Sequence, residues 1–313
     1  KKKIIPKENI LVVIGESHVN LVKTQLPEIL EENILIEPVR RNTAPCIAYA
    51  TYKLLAKNPN ATVVVSPSDH LILDETVFLE TIKKCLHTAE QKKTMLTIGI
   101  NPTRPETGYG YIQINKKEPD SYNVFKVKTF TEKPNLEMAK VFVESGEFFW
   151  NSGIFIWTLE TIKKAFENYL PDIAELLAAG ADVYYTPAEK DFIAKAYSEC
   201  PAISIDFGVM EKAQNVDVAC ADFGWSDVGT WASLFLYKQK DESKNVIDAK
   251  NIFIEDVKKS LIKIKSDKLV VVKDMDNYLI VDTDDVLLIC PKTNDEAVKE
   301  LVGKALLKHR GFY

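Results

Sequence analysis

Through the first hundred positions, apolar runs of strand length alternate with segments whose apolar residues recur every three to four positions. Residues 9–15 (NILVVIG) predict a buried strand, and residues 18–30 (HVNLVKTQLPEIL) a helix. A strand at 33–37 follows, then a helix at 43–57 in which Thr43 is a candidate cap and Pro45 suits the first turn. Residues 61–70 (ATVVVSPSDH) end a third strand, with a helix predicted at 75–91 and a fourth strand at 94–100. Continuous apolar strands separated by helices argue for a parallel sheet covered on both faces. Ligands on such sheets bind at the carboxyl ends of the strands.

After about residue 101 the pattern becomes mixed. Strands are expected at 107–114, 123–134 and 152–157, a helix at 136–146, and several helices between 159 and 197. From residue 245 onward, short strands at 251–256, 260–266, 268–274, 277–283 and 286–291 are divided by polar turns, and a helix at 294–309 follows. The polar stretch KQKDESKN, at 238–245, marks a boundary. Residues 1–240 are therefore expected to form the main domain and 241–313 a small β-rich one.

Composition narrows the function classes. The 313 residues are 46% hydrophobic and 27% charged, enough to build one large α/β core with an appendage. A net charge of -5 gives no global positive field for nucleic acid. Lys1, Lys2 and Lys3 read as a solvated helix end rather than a binding tail. Five scattered cysteines with no CxxC spacing predict reduced thiols in a cytoplasmic protein, and four dispersed histidines argue against zinc. No apolar run approaches the roughly 20 residues of a membrane span, and no signal peptide is expected.

Five stretches could carry chemistry. Asp69 in SPSDHLI follows an apolar strand, where it could form an Asx-turn, cap a helix or bind a cation. Asp227 in GWSDVGTW could cap the helix that begins VGTW or serve as a second carboxylate. Two aspartates on separate loops can share a divalent cation, since Mg²⁺ takes one or two carboxylates plus phosphate oxygens and water. In TGYGYIQI, Gly108 and Gly110 allow close backbone approach while Tyr109 and Tyr111 offer flat faces. In FTEKP, Glu132 can accept sugar hydroxyls and Lys133 can neutralise phosphate. Asn151 and Ser152 interrupt the aromatic run FFWNSGIFIW, so their polar groups must find backbone or ligand partners.

Taken in order, EPVRRNTAPCIAYAT, SPSDH, RPETGYGYI, FTEKPN, FWNSGIFIW, SIDFGVMEKA and FGWSDVGTW resemble the mannose-1-phosphate guanylyltransferases, or GDP-mannose pyrophosphorylases. These belong to the sugar-phosphate nucleotidyltransferases, and the resemblance runs over nearly the whole chain. It implies a Rossmann-like, glycosyltransferase-A-like α/β fold with a mixed sheet, helices on both faces and a small β-rich C-terminal region. It also implies GTP and α-D-mannose 1-phosphate as substrates, GDP-mannose and pyrophosphate as products, and a homodimer. Asp69 and Asp227 would hold Mg²⁺, and Asn42, Thr43, Ala44 and Pro45 would wall the guanine. Gly108 and Tyr109 would line the sugar, Glu132 would hold its hydroxyls, Lys133 its phosphate, and Asn151 with Ser152 would complete the pocket. Asp206 in SIDFGVMEK would support the sugar site or cap a helix.

One departure stands against these matches. The family begins with a strand and a glycine-rich signature that cradles the triphosphate, but this chain has no Gly-Gly pair and no glycine cluster before Gly108. The expectation is a fragment of a longer enzyme, with impaired activity and with unpaired strand edges where the missing strand would lie. The alternatives are a regulatory subunit that binds a sugar nucleotide without turning it over, or a related nucleotidyltransferase with another sugar phosphate.

Overall fold

The computed structural model describes residues 4–115, 123–292 and 295–309, so the reading of Lys1–Lys3 lies outside the described residues. The chain divides into two compact units. The first comprises residues up to Ser68 together with Ile72–Trp225. The second comprises Asp69–Leu71 and the chain from Ser226 onward. The break falls before the expected boundary at 240.

The first unit opens with β1 (Val12–Gly15), α1 (Val19–Gln25), β2 (Ile34–Glu37), α2 (Thr43–Lys57) and β3 (Thr62–Val65). After the short strand β4 (Leu71–Ile72), which the division also cuts, come α3 (Glu75–Lys92), β5 (Met95–Ile100), β6 (Tyr111–Ile114), β7 (Val124–Thr131) and α4 (Leu136–Ser145). The long β8 (Phe148–Thr158) leads into α5 (Leu159–Tyr169), α6 (Pro171–Ala178) and α7 (Glu189–Glu199). A π-helical turn, Asp206–Met210, precedes β9 (Val216–Ala221).

Six of these strands form one sheet in the order β3-β8-β5-β9-β7-β6, with β6 also reaching β8. Only β5 and β9 run parallel within it; β8 is antiparallel to β3, β5 and β6. The sheet is therefore mixed, as the resemblance implies, rather than the parallel sheet that hydrophobic patterning alone suggests. Burial explains why patterning fails here: all six residues of β5 are buried, because both faces are covered. Phe155 and Trp157 of β8 enter a cluster with α2, α5, α6 and α7. Ile154 and Ile156 enter another with α3 and α4. Alternation along one strand thus places helices on both faces. β1 and β2 form a separate parallel pair, yet Leu35, Val13 and Val63 share one apolar cluster.

Helix starts follow side-chain chemistry. Asp74 Oδ1 accepts from the Thr76 and Val77 amides at the start of α3, and Asn135 and Thr158 cap α4 and α5. α2 is capped by Asn42, not by Thr43 as expected. The Asn42 Oδ1 accepts from Thr43 N at 2.8 Å, while the Thr43 hydroxyl accepts from Ile205 N.

The division falls within the short strand β10 (Trp225–Ser226), and the second unit continues with α8 (Trp231–Tyr237), β11 (Val246–Asp248), β12 (Ile252–Lys258) and β13 (Leu261–Ile264). It continues with β14 (Val270–Asp276), β15 (Tyr278–Asp282), β16 (Leu287–Pro291) and α9 (Asp295–Lys308). β11, β13 and β15 are parallel neighbours, β16 adds antiparallel to β15, and β12 pairs in parallel with β14. From β11 to β15 successive strands thus alternate between two sheets, and the chain coils around Val257, Ile262, Val272 and Ile280. The corners stack: Asn245 Oδ1 accepts from Ser260 N, and Ser260 Oγ accepts from Tyr278 N. Lys244, Lys259 and Asn277 turn these corners with positive φ. Trp231, Leu234 and Phe235 of α8 pack against Val246 and Leu261, which is why the break precedes this helix. Among the described residues no helix is long and apolar enough to cross a membrane.

Candidate functional site

The first unit gathers Asn151, Asp206, Glu132 and Lys133. Asn151 lies where the register of β8 against β5 slips, between the pairs Thr97–Phe155 and Gly99–Asn151. Such a bulge re-aims a side chain out of the ladder, and Gly153, at φ 68, supplies the backbone geometry that it needs. The Asn151 amide oxygen accepts from Thr97 Oγ1 at 3.2 Å and from Gly153 N at 3.1 Å. Its nitrogen donates to Asp206 Oδ1 at 2.8 Å. These three bonds fix which end of the amide faces the carboxylate.

Asp206 begins the π-helical turn, an element rare in proteins and frequent at functional sites. Burial pushes its carboxyl above the ordinary range; the Asn151 hydrogen bond opposes this and the Glu132 carboxylate reinforces it. Glu211 is also raised, by burial and then by Glu132 and Asp206. The Glu132 carboxylate thus acts on both Asp206 and Glu211. Lys133 Nζ lies 3.2 Å from Glu132 Oε1, with the lysine backbone at φ 43. Gly110 completes the group: a Cβ there would sit 2.5 Å from Glu132 Oε2 and 3.4 Å from Asn151 Cβ. Its carbonyl accepts from Asn151 N at 2.8 Å.

Two expected pocket members have other occupations. The Ser152 hydroxyl donates to Ile98 O at 2.8 Å and accepts from Ile154 N, all inside the sheet. The Tyr109 ring is buried against the Trp150 and Trp225 rings, 5.2 Å from each. Gly108 remains exposed. In the NTAP stretch Ala44 and Pro45 are buried, leaving Asn42 and Thr43 as its exposed side chains. Thr97 and Glu211 escape sequence reading: Thr97 lies in no motif, and Glu211, though within SIDFGVMEKA, is brought in only by the turn that follows Asp206.

The second unit holds Asp69, His70 and Asp227. Neither aspartate caps a helix. Asp74 starts α3, and Thr230 caps α8 through a reciprocal box with Ser233. Burial holds His70 below its usual value, while Asp69 and Asp227 both pull it back up. Asp69 Oδ1 lies 4.0 Å from His70 Nε2, with its side chain 84% exposed. Asp227 Oδ1 accepts from Gly229 N, and a Cβ at Gly229 would come within 2.8 Å of Asp227 Oδ2. Between them Val228 adopts φ 50, a strained setting for a β-branched residue. Among the described residues no cluster of three or more His, Cys, Asp or Glu is suited to a metal. Two carboxylates alone fit a hard cation that completes its shell with phosphate oxygens and water, not a self-sufficient structural site.

A family model described as nucleotidyl transferase matches residues 6–244. The chain is 38% identical over 302 residues to a mannose-1-phosphate guanylyltransferase of Escherichia coli, covering 93% of this chain and 64% of that relative. It is 36% identical over 315 residues to mannose-1-phosphate guanylyltransferase 2 of Escherichia coli O157:H7, covering 97% of this chain and 64% of that relative. The chain thus spans less than two thirds of the length of these relatives. A crystal structure described as a mannose-1-phosphate geranyltransferase from Thermus thermophilus is similar with a TM-score of 0.82 and 28% identity. That match covers 96% of this chain and 85% of the other.

Proposed function

The chain belongs to the nucleotidyl transferase family, and on that footing we propose that it transfers GMP from GTP to α-D-mannose 1-phosphate, giving GDP-mannose and pyrophosphate. The observation that carries the reading is the locked Asn151–Asp206 pair beside Glu132 and Lys133. Carboxylate oxygens accept hydroxyl hydrogens of a hexose and the remaining Asn151 amide hydrogen can donate to a hydroxyl oxygen, while an adjacent ammonium balances a phosphate. The guanylyltransferase relatives, similar over more than nine tenths of this chain, support the choice of base and sugar.

In this reading Glu132, Asn151 and Asp206 orient the sugar, and Lys133 holds its phosphate. The sugar phosphate oxygen is already ionised at neutral pH, so no general base is required for attack on the α-phosphorus. Positioning and charge balance between two anionic substrates then supply most of the rate. Asn42 and Thr43 present the exposed side chains of the proposed guanine wall. Family members generally use a divalent cation; here Asp69 and Asp227 would hold Mg²⁺, which supplies positive charge to crowded phosphate oxygens. Action in the cytoplasm as a homodimer completes the proposal.

The test is pyrophosphate release from GTP and mannose 1-phosphate with Mg²⁺, omitting each component in turn. Any release, expected to be weak in a chain without the family's glycine-rich signature, should depend on all three. Binding of mannose 1-phosphate, titrated alone, checks the sugar half independently of turnover. Release without the sugar phosphate, or equal use of glucose 1-phosphate, would count against the assignment.

A further inference from the structure

The segment before β6 carries a network that the proposed chemistry does not use. Glu106 Oε2 accepts from Arg104 Nε at 3.1 Å and lies 3.0 Å from the other guanidinium arm. Glu106 Oε1 accepts from Gly108 N at 3.2 Å. The Tyr111 hydroxyl donates to Glu106 O at 2.9 Å and accepts from Glu106 N at 3.0 Å, closing the loop on the first residue of β6. The Arg104 guanidinium also lies over the Trp150 ring at 5.2 Å, and the Tyr109 ring meets Trp150 from another direction. Both carboxylate oxygens of Glu106 are thus engaged within the loop, and its side chain is only 22% exposed.

These contacts converge on the sugar cluster. Trp150 precedes Asn151 on β8. Gly110, between the anchored Tyr109 and Tyr111, accepts from Asn151 N and leaves the space that Glu132 Oε2 fills. We propose that Arg104 and Glu106 form a clamp that positions Gly110, and through it the Glu132 carboxylate and Asn151, for the sugar phosphate. They are positioning residues: the inference rests on the sugar-phosphate reading of this cluster and assigns them no contact with substrate. The clamp sets the distance between the Glu132 carboxylate and the Asn151 amide, and errors of about 1 Å in such placement cost up to about a hundredfold.

The test uses the full chain and two substitutions. Glu106→Gln keeps an oxygen for Gly108 N but turns an amide against Arg104; Arg104→Lys keeps the charge but loses the forked pair and the flat stacking. Both are expected to raise KM for mannose 1-phosphate, and its Kd by calorimetry, about tenfold, with KM for GTP changed less than about twofold. Unchanged sugar-phosphate KM and Kd in both variants would overturn the clamp and leave the reading of the site standing. Equal losses for the two substrates, or losses that track a falling Tm, would assign the pair to general stability and overturn it as well. A wild-type chain that fails to bind mannose 1-phosphate would remove the site reading itself, and the clamp with it.

Discussion

Asp206 illustrates how a single carboxyl can serve a site and burden the fold. Its native pKa is raised, chiefly by burial, so the native state holds the proton more tightly than the unfolded chain. The protonated form contributes stability in full below the unfolded pKa, and that contribution is lost as pH rises through the folded value. Asp206→Asn should therefore match wild type at acid pH and become the more stable protein toward neutrality, as urea titrations across pH would reveal. The same variant should bind mannose 1-phosphate about tenfold more weakly, for want of a charged acceptor. Gly110→Ala is a second residue-scale probe. A methyl there would lie 2.5 Å from Glu132 Oε2, so the carboxylate must move. Sugar-phosphate affinity should fall about tenfold or more with little change in Tm. Sequence reading reached Asn151, Glu132, Lys133 and Asp206 through their motifs, and placed Ser152 beside them by adjacency alone. In a strand, adjacent residues face opposite ways, and the Ser152 hydroxyl is engaged within the sheet.

Among the elements, α2 and α7 are joined by a buried pair. Lys53 Nζ lies 2.6 and 2.7 Å from the two oxygens of Glu189, which also accepts from Tyr49 Oη and Tyr185 N. Glu189→Ala would leave a buried ammonium without its counter-charge, at a cost of about 3–5 kcal/mol in chemical denaturation. Lys53→Met combined with Glu189→Leu should recover only part of that loss, because the desolvation penalty disappears with both charges while Tyr49 Oη and Tyr185 N lose their acceptor. The helices and strands themselves were largely legible from periodicity. Their irregularities were not. The slip in β8 and the π-helical turn depend on hydrogen bonds between distant strands, and no local pattern announces them. Asn42 captured the cap of α2 because Thr43 is engaged by Ile205, a partner 162 residues away.

For the molecule as a whole, composition placed the dividing line at the polar stretch near 240, whereas packing places it between Trp225 and Ser226. Polarity marks where the chain meets water; the line between units follows which apolar residues share a core, and α8 shares that of the later strands. The mixed order of the large sheet came from resemblance, since a fully buried strand reads alike in parallel and antiparallel neighbourhoods. The separate pairing of β1 with β2, and the place of β3 at a margin of the larger sheet, have a practical consequence. Among the described residues, one side of β1 and one side of β3 join no ladder. Backbone donors and acceptors in such rows are matched in spacing to any extended peptide. A concentrated stock of this chain should therefore behave as a slowly self-recruiting colloid, with scattering that rises with protein concentration and storage time. Dynamic light scattering on a dilution series checks this; particle size that stays constant over days would show that the open rows recruit nothing.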